Sequence, residues 1–257
     1  MSTTRLIGRN TIRSFNHVTT LLTFASKLLI LLFSRPAEGR TLVRRIALEQ
    51  IYFTAVQALP VIIPVALIIG SAIIIQFSKL SGQYDLGNIA VTLIVRELGP
   101  AITALLIILR SATAVTIETG YMKVLHEIDA LEMSVINIVW FVCIPRLVGI
   151  TTAILCLFVV FDIVAIIGGY AVVWTITYLQ VGNFLRQIAG AVTVSGIVVG
   201  LLKAVCFGIT ITVTSTYHGL KVGSHITEIP VAASRAAVEC FFYCLVINVT
   251  ISALFYL

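Results

Sequence analysis

Hydrophobic residues in this chain fall in long blocks. Residues 51–77, 87–117, 147–178, 188–217 and 236–257 form nearly continuous apolar runs. Each exceeds the roughly 20 residues a helix needs to cross a bilayer, so five transmembrane helices are predicted. Short polar segments at 78–86, 179–187 and 218–235 connect most of them. The connection between the second and third runs is different. From Glu118 to Met133, Tyr121, Val124, Leu125, Ile128 and Leu131 recur at helical spacing, with Lys123, His126, Glu127, Asp129 and Glu132 on the opposite side. That pattern predicts one amphipathic helix at the water surface, closed by Pro145-Arg146, where a soluble partner can grip it.

Upstream of the first run, residues 18–33 are interrupted by Lys27 and no Ala-x-Ala cleavage pattern follows. The stretch is too short to span, and Leu21, Phe24, Leu28 and Leu32 make a stripe among basic residues. It predicts an amphipathic helix lying in the membrane interface rather than a signal peptide. The domain reading is therefore a basic N-terminal segment, 1–48, and a membrane domain, 49–257. The fold class is all-α and polytopic. Within the first run, Pro60 and Pro64 each lack a backbone donor, and an irregular helix is expected there. In the fourth, Gly196 and Gly200 are spaced for close helix contact.

Composition agrees with the block pattern. The chain of 257 residues is 59% hydrophobic and 11% charged, against about 25% charged in a soluble domain. The net charge of +6 does not indicate nucleic acid, because eight of the seventeen Lys and Arg lie in the first 45 residues. With the N-terminus inside, inner segments carry thirteen of the seventeen basic residues, and the positive-inside rule predicts N-in and C-out. The polar helix then faces the cytoplasm. Cys143, Cys156, Cys206, Cys240 and Cys244 lie in or beside apolar runs without Cys-x-x-Cys spacing, and read as small packing residues. The four histidines are scattered, and neither they nor the cysteines predict a metal site or a bound cofactor. There is no Gly-x4-Gly-Lys-Ser/Thr loop, no His-Glu-x-x-His and no Gly-x-Ser-x-Gly. ATP chemistry, if it drives this protein, belongs to another subunit.

Charges inside apolar runs are the candidate chemistry. Arg96, Glu97 and Lys203 each cost on the order of 3 kcal/mol to bury on insertion scales, and such residues face a bundle interior or a wet cavity. Two readings stay open for them. One is an ion pair locking the second and fourth spans. The other is a net-positive cavity for an anionic lipid head group, with Arg donating two bonds to phosphate and Gly99-Pro100 opening the helix below it. Asp162 either hydrogen-bonds between spans or lines the pathway. Arg110 and Glu118 are expected to end the second span.

Three segments together resemble the MlaE-type (YrbE-type) permeases of ABC lipid transporters. They are Arg96-Glu-Leu-Gly-Pro100, then Glu118-Thr-Gly-Tyr-Met-Lys-Val-Leu-His-Glu-Ile-Asp-Ala-Leu-Glu-Met133 with Pro145-Arg146, and Asp162 with Gly168-Gly169. The chain departs from the family at Asn137-Ile138, where a D-P pair is usual, and in the loop Gly219 to Pro230. The resemblance implies a homodimer of five spans plus an interfacial helix, with a cytoplasmic ABC ATPase docked on the polar helix. It also implies an MCE-domain protein outside the membrane that exchanges lipid with the permease. Carried over by position, Arg96, Glu97 and Lys203 are lipid-binding candidates. Glu118, Gly120, Met122, Lys123, Glu127, Asp129, Leu131 and Glu132 are ATPase-coupling candidates, and Gly99, Pro100 and Asp162 are pathway or structural candidates. Two alternatives compete: a membrane-embedded lipid-modifying enzyme, for which no nucleophile and base set is found, and an anchor protein without a transport cycle.

Overall fold

The computed structural model describes residues 3–34, 40–80, 87–134, 137–177, 190 and 193–256. Among these, five helices are long and apolar enough to cross a membrane: Thr41–Phe77, Ile89–Val124, Val139–Val172, Val194–Leu220 and Ile226–Phe255, here spans one to five. The N-terminal helix, Thr3–Ser34, extends well beyond the stretch its apolar stripe suggested. That stripe is buried against protein. Leu21 and Leu28 pack with Trp140, Cys143, Ile144 and Leu147 of span three and Val213 of span four, and Phe24 and Leu32 adjoin them.

Four prolines punctuate the spans in one repeated way, whereas Pro64, where irregularity was also expected, lies inside the regular helix Leu59–Leu80. Pro60, Pro100, Pro145 and Pro230 each stand two residues after an irregular turn. The turns are 3-10 at Val56–Ala58 and Ile226–Glu228, and π at Ile94–Leu98 and Val139–Cys143. A proline cannot donate to the carbonyl four residues back. At Pro60 that carbonyl belongs to Val56, and the Leu59 N–H takes it instead, closing the tighter 3-10 turn. At Pro100 the wider turn closes with the Gly99 N–H on the Ile94 carbonyl.

Spans two, three and four form the centre. Ile94, Ala104, Ile107 and Ile108 meet Ile150, Ile154, Leu157, Phe158 and Phe161, with Ala204, Phe207 and Ile211 completing the core. The Gly196 and Gly200 expectation holds: a Cβ at Gly200 would stand 2.7 Å from Phe158 Cζ and 3.2 Å from the Val95 carbonyl oxygen. Spans one and three touch backbone to backbone, since a Cβ on Gly169 would lie 2.6 Å from the Gly70 carbonyl carbon. Span five keeps a broad apolar face outward, including Val238, Phe242, Val246 and Val249.

Several boundaries differ from the sequence expectation, beginning with span one, which starts at Thr41 rather than at residue 51. Span two does not end near residue 117 but runs as helix to Val124. Pro145-Arg146 does not close the polar helix; it lies inside span three, which begins at Val139. The reason is local: Asn137 Oδ1 accepts from the N–H groups of Val139 (3.0 Å) and Trp140 (3.3 Å), capping the helix there. Most of 218–235 is helical too, because span four continues to Leu220 and the last helix starts at Ile229, with Pro230 in its first turn. The expected loop 179–187, with Arg186, lies outside the described residues, as do residues 81–86 of the expected loop 78–86, whose first three residues instead continue the helix of span one to Leu80.

Candidate functional site

Two regions gather the sequence-predicted residues. The first surrounds Arg96-Glu97. Pro100 has no N–H for the Arg96 carbonyl, four residues back, and Lys203 Nζ donates to that carbonyl at 2.9 Å. The same ammonium contacts Glu97 Oε1 at 2.9 Å and Ser252 Oγ at 2.7 Å. Glu97 also accepts from Ser252 Oγ (2.8 Å) and Asn248 Nδ2 (3.3 Å). Lys203 is fully buried, while the Glu97 side chain stays 29% exposed. The cluster therefore ties spans two, four and five together through an ion pair and a peptide carbonyl.

Arg96 turns elsewhere. Its Nη2 donates to Thr193 Oγ1 at 2.7 Å, and Thr193 also caps span four by accepting from the Gly196 N–H. Adjacent helix positions point about 100° apart, so neighbours in sequence need not share a site. Of the two readings left open, the ion pair between spans two and four is present, with Lys203 enclosed and Glu97 partly exposed, while Arg96 contacts Thr193. Asp162 meets the same helix at Gly99, where its Oδ1 sits in the place a Cβ would occupy. Only glycine admits that approach. Asp162 Oδ1 accepts no hydrogen bond among the described residues, so the expected bond between spans is replaced at that oxygen by close packing.

The second region is the polar stretch. It is not one helix. Span two ends at Val124, His126 takes a left-handed conformation (φ 59°), and a separate helix covers Glu127–Met133. Histidine is among the non-glycine residues that tolerate this region. The break is held by Asp129, which contacts His126 Nδ1 at 2.7 Å and Lys123 Nζ at 2.9 Å. The bonds to His126 and then Lys123 hold the Asp129 carboxyl below its ordinary value of 3.8. The break also dissolves the single apolar stripe: Ile128 is buried, whereas Tyr121 and Leu125 are exposed.

The other coupling candidates divide by burial. Glu127 and Glu132 are exposed, Met122 and Leu131 are half-buried, and Met133 is 82% exposed. Gly120 is buried instead, packed 3.3 Å from Val222 and Ile229 side chains. Glu118 reaches Arg146 Nη2 at 3.0 Å, and Arg146, itself buried, donates through Nη1 to Thr119 Oγ1 at 2.7 Å. Arg146 thus fastens span three to the end of span two. Arg110 does not end the span; it bonds the Phe53 carbonyl (3.0 Å) and Gln57 Oε1 (2.9 Å) of span one.

Sequence reasoning missed Thr193, Asn248 and Ser252. The last two lie four residues apart in an apolar run, a helical spacing that marks one polar face and was available as a signal. It also left His17, His218 and Glu239 unconnected, although the fold brings them into contact.

Residues 47–254 match the family described as Permease MlaE. The chain is 26% identical over 257 residues to a Rickettsia typhi protein named "Probable ABC transporter permease protein RT0041", covering 98% of this chain and 96% of that one. It is 27% identical over 213 residues to the Haemophilus influenzae "Intermembrane phospholipid transport system permease protein MlaE", covering 81% and 82%. It is 27% identical over 215 residues to "Probable ABC transporter permease protein RP096" of Rickettsia prowazekii, again covering 81% and 82%. With a family match across all five spans, this chain belongs to the MlaE permease family and is a multi-pass membrane protein.

Proposed function

We propose that the chain is the membrane subunit of an ABC transporter in the inner membrane. It moves phospholipid, or a similar amphipathic lipid, between that membrane and an MCE-domain partner. A separate cytoplasmic ATPase drives it, and the chain works as a homodimer, N-terminus inside and C-terminus outside. The observation that carries the reading is the family match over 47–254. The names of the relatives agree with it: two are called ABC transporter permeases and one an intermembrane phospholipid transport permease.

The geometry supports a division of labour. Glu127, Glu132 and Met133 lie exposed beyond the His126 break, as a handle for the ATPase requires. Gly120 and Arg146 act behind them, joining the handle to spans three and five. Arg96 is the head-group contact, because it is a partly exposed residue, whereas Lys203 is enclosed. Glu97 and Lys203 hold the opened backbone at Pro100 so that Arg96 keeps its place. Apolar side chains of span one, among them Val61 and Ile68, face outward and offer a wall for lipid or a second copy. An anchor protein would need none of the exposed acidic handle.

Native mass spectrometry of the tagged protein from its own host, in mild detergent, tests the proposal. Two copies of this chain with two ATPase chains and bound phospholipid are expected. Glu127→Lys with Glu132→Lys releases the ATPase while the permease dimer stays intact. A chain recovered without any ATPase from a host that makes one overturns the reading.

A further inference from the structure

His17 on the N-terminal helix, His218 on span four and Glu239 on span five converge on one point. Both imidazole Nε2 atoms lie 2.9 Å from the same carboxylate oxygen, Glu239 Oε2, although His17 and Glu239 are 222 positions apart. All three ligand atoms fall within 4.8 Å of one another. Each side chain is half-buried, and Tyr217 stands edge-on to the His17 ring at 5.4 Å. The group lines an open pocket of about 1100 Å³. The transport reading makes no use of it.

We propose that these three residues form a divalent transition-metal site of the zinc class. Two histidines and one carboxylate, with a fourth position left open, are an established zinc donor set. With zinc bonds of about 2.1 Å, tetrahedral ligand atoms stand about 3.4 Å apart. The two 2.9 Å contacts therefore open by about half an ångström to admit the ion, and the two Nε2 atoms, which lie within 4.8 Å of each other, settle at the same spacing. Two imidazoles meet a single carboxylate oxygen, rather than one at each, so all three ligand atoms are gathered at one place, and a small turn of each ring redirects Nε2 from that oxygen to an ion. In the metal-bound form each ring carries its proton on Nδ1 and presents the Nε2 lone pair to the ion. The fourth position faces the pocket and takes water or an oxygen ligand. Such an ion would pin the N-terminal helix to spans four and five through bonds added to the apolar contacts of its stripe.

The test uses the full-length chain, purified with a tag free of histidine, in mild detergent. It is loaded with Zn2+ or Co2+, desalted, and assayed for metal by elemental mass spectrometry. The wild type is expected to hold one ion per chain, and its Co2+ form to show the visible absorption of a four-coordinate ion. His225→Ala, exposed and outside the cluster, behaves as the wild type. His218→Ala and Glu239→Gln weaken binding by more than about 100-fold, beyond the loss of a merely outer partner. Should either variant misfold by circular dichroism and gel filtration, His17→Ala on the N-terminal helix gives the same readout. A wild type that retains no metal, or cluster variants that bind as it does, overturns the proposal. Neither outcome touches the transport reading, since no ATPase or lipid enters the assay.

Discussion

Replacing Lys203 by Met removes a fully buried ammonium and, among its contacts, those to the Arg96 carbonyl, Glu97 and Ser252. Interhelical hydrogen bonds in membranes average about 0.6 kcal/mol, so the contacts alone amount to about 2 kcal/mol. Breaking a buried ion pair from one side costs about 3–5 kcal/mol, because the surviving charge stays desolvated. Here the survivor, Glu97, is 29% exposed and keeps Ser252 and Asn248 as donors. The expected destabilisation is therefore near the lower end, about 3 kcal/mol. The double variant Glu97→Gln with Lys203→Met removes both charges and should recover at least about half of that loss. Reversible unfolding in mixed micelles, followed by tryptophan fluorescence, measures all four members of the cycle. A Lys203→Met protein as stable as the wild type refutes the reasoning, as does a cycle with no coupling. In that case the 2.9 Å pair does not hold the spans, and Lys203 returns to the list of direct lipid contacts.

Gly169→Ala should cost about 1–3 kcal/mol, since its new methyl meets the Gly70 backbone, which cannot yield. Gly168→Ala meets only side-chain atoms of Leu67 and Val164, the nearest at 3.4 Å, and should be near neutral in the same unfolding assay. Arg146→Leu, which cuts the link to Glu118 and Thr119, should lower ATP-driven transport in reconstituted vesicles while the ATPase still co-purifies. Asp129→Asn should raise amide exchange over residues 127–134 at neutral pH. Because the folded carboxyl lies below its ordinary value of 3.8, the wild-type advantage is complete above 3.8 and is lost as the pH falls through the lowered value. A difference between the two proteins that survives acid unchanged would refute that sign.

Much of the architecture was legible in the residues alone because its causes are local. Apolar blocks of more than about 20 residues fix the number of spans, and five were found. The stripe of Leu21, Phe24, Leu28 and Leu32 marked the buried side of the N-terminal helix. Pro60 and Pro100 marked where helical geometry breaks, since a missing donor acts within one turn, but Pro64 did not. What periodicity does not specify is how helices are rotated against one another. Only that rotation decided that Lys203 closes on Glu97 while Arg96 turns to Thr193. It also decided that Asp162 lies against Gly99. The left-handed break at His126 escaped the sequence because the stripe reads through it. Its cause, the Asp129 carboxylate holding His126 and Lys123, exists only once the turn has formed. The meeting of His17, His218 and Glu239 is the extreme case, because contacts across 222 positions depend on packing three helices and on no local pattern at all.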